Sequence, residues 1–112
     1  MIKLIAVDMD GTFLNSQSKY NEVRFKEIHS KLDEKGIHFV VASGNQYYQL
    51  KDFSPITMCA FGDGGNDLEM LREVGDGVAM KNAVPALLEV ANHVTDTNDE
   101  EGVLNYIEKN IL

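Results

Sequence analysis

A chain of 112 residues can enclose one hydrophobic core and falls well short of two domains. Its 44% hydrophobic and 25% charged content excludes a disordered chain. Eighteen acidic residues against ten basic give a formal charge of −8, which repels nucleic-acid phosphates and anionic membrane surfaces, so neither is expected as a partner.

The first element is predicted at residues 3–7, "KLIAV", a short apolar run of the kind found in strands covered on both faces. The acidic turn that follows in "MIKLIAVDMD" differs from a secretion signal, and no apolar run approaches the ~20 residues of a membrane span, which points to the cytoplasm. Residues 22–35 read as a helix, with Phe25, Ile28 and Leu32 on one face and Gly36 placed to cap its end. A second strand is expected in "IHFVVA", 37–42, then a short helix around "QYYQLKDF" and a break at Ser54-Pro55. A third strand, "TMCAF", leads into "GDGGND" and a helix "LEMLREV" closed by Gly75. Cys59, the single cysteine, lies among Met58, Ala60 and Phe61 and reads as a buried structural thiol. The alternation continues with strand "GVAM", a helix from Pro85 to about Ala91, a strand near Val94, an acidic stretch "TNDEE", and a terminal helix carrying Val103, Leu104 and Ile107. Such alternation implies a three-layer α/β, Rossmann-like domain with a mostly parallel sheet.

Each of the first three predicted strands ends in small polar residues: "DMDGT", "SGN" and "GDGGND". In open α/β sheets ligands bind beyond the carboxyl ends of the strands, near the point where strand order reverses, so these clusters are expected to converge. Asp8 and Asp10 would meet Asp63 and Asp67 there, and carboxylates gathered in one crevice require a hard cation, for which Mg²⁺ is the best match. The glycines permit close backbone approach, and Thr12 and Ser43 add hydroxyls beside backbone N–H groups, the equipment of a phosphate cradle. Metal, phosphate and a free Asp together suggest phosphoryl transfer through an aspartyl-phosphate.

"DMDGT" at 8–12, "ASGN" at 42–45 and "FGDGGNDLEML" at 61–71 resemble motifs one, two and four of the haloacid dehalogenase-like hydrolase superfamily. "GVAMKNA" and "TNDEEGV" narrow the resemblance to its Cof-type branch of phosphatases acting on sugar phosphates and other small metabolites. The resemblance implies that Asp8 is the nucleophile and a metal ligand, and that Asp10 is general acid and then base, lending its backbone carbonyl to the metal. It further implies that Asp63 ligates Mg²⁺, with Asp67 as a further ligand or a carboxylate one layer out. Thr12, Ser43, Gly44 and Asn66 would hold the phosphoryl group.

Members of that branch carry, between the second and fourth motifs, another core strand, a substrate-selecting α/β cap and the lysine of a third motif, whereas Ser43 and Asp63 here are 20 residues apart. The expectation is a single core domain over 1–112, with the cap and one core strand missing at about 53–58. Lys51, the only lysine between the two motifs, is a weak replacement, because it lies about 10 Å along a helix leading away from the strand end. The second strand becomes a sheet edge, which favours a homo-oligomer.

Simpler readings compete at several positions. Asn66 with Glu69 fits a helix-capping pattern, which can coexist with phosphate binding. Lys51 and Lys81 read as surface lysines, and "TNDEE" as an acidic cap for the last helix. For the whole chain, the alternatives to a phosphatase are a shortened remnant that binds metal and phosphate without turnover, and a phosphoacceptor switch domain.

Overall fold

Five parallel strands lie in the order β2–β1–β3–β4–β5, in a computed structural model that describes residues 1–42 and 53–112. The helix expected from about Gln46, together with Ser43, Gly44 and Lys51, lies outside the described residues. The strands are β1 (Leu4–Val7), β2 (His38–Val41), β3 (Met58–Gly62), β4 (Asp76–Met80) and β5 (His93–Thr95). The helices are α1 (Glu22–Glu34), α2 (Leu68–Glu73), α3 (Pro85–Val90) and α4 (Gly102–Tyr106). Each strand and helix expected in these segments is present to within one or two residues. The last helix is the exception: beyond Tyr106 it widens into a π-helical turn over Ile107–Ile111.

The period-two alternation of β1 explains the three layers. Ile5 and Val7 pack with Ile28 and Leu32 of α1 and with Val103, Leu104 and Ile107 from the C-terminal segment. Leu4 and Ala6 face the other way, onto Met70 and Leu71 of α2 and Leu87 of α3. All four β1 side chains are fully buried, which is why the run carries no polar residue. Phe53, just before β3, packs on the α2 side of the sheet. No helix among the described residues is long and apolar enough to cross a membrane.

Strand order reverses at β1, where β2 leaves to one side and β3 to the other. The residues immediately after β1 and β3 therefore face one crevice, which locates the site. Among the described residues β2 is an edge strand, and its last residue, Val41, is 59% exposed.

At the opposite end of the sheet, Asp76 gathers three donors. Tyr106 Oη donates to Asp76 Oδ2 at 2.9 Å, and His93 Nε2 stands 3.1 Å from Asp76 Oδ1. The buried Cys59 thiol completes the set, its pKa raised first by burial and then by the neighbouring Asp76 charge and hydrogen bond. Removing the carboxylate strands the Tyr106 hydroxyl and the thiol together. Asp76→Ala should lower unfolding free energy by about 1–3 kcal/mol, read as an earlier urea midpoint, with Asp76→Asn intermediate. An unchanged midpoint in both variants would show that the cluster adds nothing to stability.

Candidate active site

Asp8 is the first residue after β1, Asp63 the first after β3, and Asp67 closes the 3₁₀ turn Gly65–Asp67 that opens α2. One oxygen from each of the three carboxylates lies within 4.8 Å of the other two. Asp8 and Asp63 are half-buried and Asp67 is fully buried. The backbone loop fixes Asp67, whose Oδ2 accepts from the N–H groups of Asp63 at 3.2 Å and Gly64 at 3.3 Å. Thr12 fixes Asp63, its hydroxyl donating to Oδ1 at 2.9 Å.

Two glycines make room for this arrangement. Gly11 has φ of +77°, and a Cβ there would collide with the Asp63 carboxylate. A Cβ on Gly62 would sit 2.6 Å from Cβ of Asp67. Any side chain at either position displaces a carboxylate from the group.

Asp8 is held well away from its ordinary titration range. Burial, followed by the Asp67 charge and by the hydrogen bond and charge of Asp63, pushes its carboxyl up to about 7 against the usual 3.8, and the Met9 backbone N–H opposes the rise. Three carboxylates this close form a poor arrangement by themselves and a good one around a hard divalent cation, so the donor set fits Mg²⁺.

The sequence expectation gathered four carboxylates; the described structure gathers three, and the Asp10 side chain is exposed outside that group. The physical reason is the turn after β1. The N–H of Phe13 donates to Asp8 O at 3.1 Å and that of Leu14 to Met9 O at 2.9 Å, curling the backbone so that Asp10 is carried outward. Thr12 is buried with its hydroxyl already donated to Asp63, and Asn66 is exposed on the 3₁₀ turn. The capping role at the start of α2 does not fall to Asn66: the position before α2 is Asp67, whose carboxylate holds the preceding loop instead.

Several residues that brace the site have no local signature. Asn82, just past β4, donates to Gly11 O at 2.9 Å and accepts from the Asn98 N–H at 3.1 Å. Asn98 in turn donates to Leu14 O at 3.0 Å. Asp99 accepts from the Ser16 N–H at 2.7 Å and hydroxyl at 2.6 Å, bonds that hold its carboxyl below the usual range. "TNDEE" thus does more than cap the last helix. Thr97 and Glu100 form a capping box on the 3₁₀ turn Asn98–Glu100, Glu101 in left-handed conformation separates that turn from α4, and the turn ties down the loop carrying Asp10 and Thr12.

The family model described as haloacid dehalogenase-like hydrolase matches residues 5–57 and 52–107. A 54-residue stretch is 63% identical to the Escherichia coli (strain K12) 5-amino-6-(5-phospho-D-ribitylamino)uracil phosphatase YbjI, covering 48% of this chain and 20% of that protein. The chain spans less than half the length of the curated relatives compared, 17% of one and 41% of another. Among solved structures, SMU.1108c from Streptococcus mutans UA159 superposes with a TM-score of 0.89 at 20% identity over 99% of both chains. The 3-deoxy-D-manno-octulosonate 8-phosphate phosphatase of Moraxella catarrhalis, solved with magnesium, phosphate and KDO, superposes with a TM-score of 0.75 at 20% identity, over 96% of this chain and 84% of that one. The structural likenesses establish the same fold, and the match of the family model to both halves of the sequence establishes that this chain belongs to the haloacid dehalogenase-like hydrolases.

Proposed function

We propose that the chain is the core of a Mg²⁺-dependent phosphomonoester hydrolase acting on a small phosphorylated metabolite such as a sugar phosphate, with residues 1–112 forming one domain from which the cap has been lost. The observation that carries this reading is the group of three converging carboxylates at the strand-order reversal, with Asp8 raised to about 7. The similarity to YbjI, a 5-amino-6-(5-phospho-D-ribitylamino)uracil phosphatase, supports the substrate class. Asp8, Asp63, Asp67 and the Asp10 carbonyl would hold Mg²⁺, which supplies charge neutralisation at the phosphoryl oxygens when bound.

In this mechanism an Asp8 carboxylate oxygen attacks phosphorus, and the bond to the leaving oxygen breaks as Asp10 donates its proton to that oxygen. Asp10, now a carboxylate, accepts a proton from water as that water attacks the aspartyl-phosphate, releasing phosphate and restoring both side chains. The exposure of Asp10 suits a group that must meet both leaving group and water. Thr12 keeps Asp63 oriented, while Ser43, Gly44 and Asn66 are the proposed phosphate contacts, with Lys51 a weak fourth.

Release of inorganic phosphate from an aryl phosphate should require Mg²⁺ and stop on chelation. A second reading, in which the chain binds metal and phosphate without turnover, is favoured by one fact: only ten residues separate Ala42 from Phe53, too few for an α/β cap. Phosphate binding without hydrolysis would support it over the enzyme.

A further inference from the structure

We propose that Lys81 is the cation that receives the phosphate dianion in this site, an inference that rests on the phosphatase reading above. Charge makes such a group necessary. With Asp8, Asp63 and Asp67 ionised, one divalent ion leaves the group negative before any anion arrives, and the exposed Asp10 adds to the deficit. Among the described residues, the segments 8–14, 62–67 and 80–84 flank the carboxylate group, and Lys81 is the only lysine or arginine in these three segments.

Its place follows from the sheet. β4 runs parallel to β3 with Gly62 opposite Ala79, so Lys81 stands just past the carboxyl end of the strand adjacent to Asp63. The turn that carries it is pinned on both sides of the site. The N–H of Val84 donates to Asp63 O at 2.9 Å, that of Ala83 donates to Met80 O at 2.8 Å, and the Asn82 side chain donates to Gly11 O at 2.9 Å. The backbone at 81 is thereby fixed between the loops bearing Asp63 and Gly11. Lys81 itself is exposed, and among the described residues no carboxylate pairs with it. Neighbouring strands are ~4.8 Å apart, a gap the flexible four-carbon stem of lysine can cross to reach an anion seated over β3 and β1. The ligand chemistry it serves is a phosphate monoester or inorganic phosphate.

Calorimetric titration of inorganic phosphate into the protein at saturating Mg²⁺ tests this without relying on turnover. Lys81→Ala should raise the phosphate Kd by about tenfold or more, Lys81→Arg should restore most of the affinity, and Lys109→Ala, the same charge change on the exposed C-terminal turn, should leave it unchanged. Thermal melting of each variant confirms the fold. Wild-type binding that Lys81→Ala weakens no more than Lys109→Ala does would overturn the role of Lys81 alone. Absence of phosphate binding in the wild type would overturn this role and the phosphatase reading together.

Discussion

Asp8→Asn is expected to abolish turnover and, in the absence of metal, to make the protein more stable. The loss should be at least about a thousandfold in kcat, because the amide removes the proposed nucleophile while preserving the shape of the side chain. The gain in stability has an electrostatic origin. Burial and the charges of Asp67 and Asp63 push Asp8 up to about 7, so above that pH its ionised form opposes folding. An amide carries no charge and can donate to Asp63. Because Asp8 is half-buried, solvent screening leaves only part of the penalty, about 1 kcal/mol or on the order of 4 °C in thermal midpoint. Paired assays of aryl-phosphate hydrolysis and thermal melting in chelator check both halves. Retained turnover would remove Asp8 from the nucleophile role, and a lowered midpoint would show that the carboxylate is relieved by contacts other than a metal.

Mg²⁺ should raise the thermal midpoint of the wild-type protein by an amount that grows with pH. A ligand present at a hundred times its Kd stabilises by about 2.7 kcal/mol, on the order of 10 °C for a domain of this size. The pH dependence follows from the raised carboxyl of Asp8. Its folded value of about 7 exceeds the unfolded 3.8, so the stability linked to its protonation is complete below 3.8 and is lost as pH rises through 7. Asp99, whose carboxyl is lowered, acts in the opposite direction: its contribution is present above 3.8 and lost only as pH falls further. Between about pH 5 and 8 the metal-free midpoint should therefore decline through Asp8, and saturating Mg²⁺ should suppress the decline. Melting curves in chelator and in Mg²⁺ across that range give the comparison. Equal slopes in the two series would exclude Asp8 from the metal site.

The sequence alone determined the strand and helix order, the burial of Cys59 and the convergence of Asp8, Asp63 and Asp67, because each depends on local pattern or on a general property of parallel sheets. Period-two burial in "LIAV", helical spacing of Ile28 and Leu32, and small polar residues at strand ends are visible within a few positions. Once the strands are parallel, the residues after β1 and β3 must meet. Tertiary structure decided what depends on partners far apart in the chain. Asp10 leaves the carboxylate group because the loop after Asp8 curls and is tied by Asn82 and Asn98, 71 and 84 residues from their partners Gly11 and Leu14. Thr12 bonds to Asp63 across 51 residues, and Asp76 acquires Tyr106 across 30. Side-chain hydrogen bonds of this kind have no period and no preferred spacing, so only the folded backbone selects which of many asparagines and aspartates find a donor or acceptor. The same holds for Lys81, a surface lysine by its local sequence, whose position beside Asp63 is set by the register of β4 on β3.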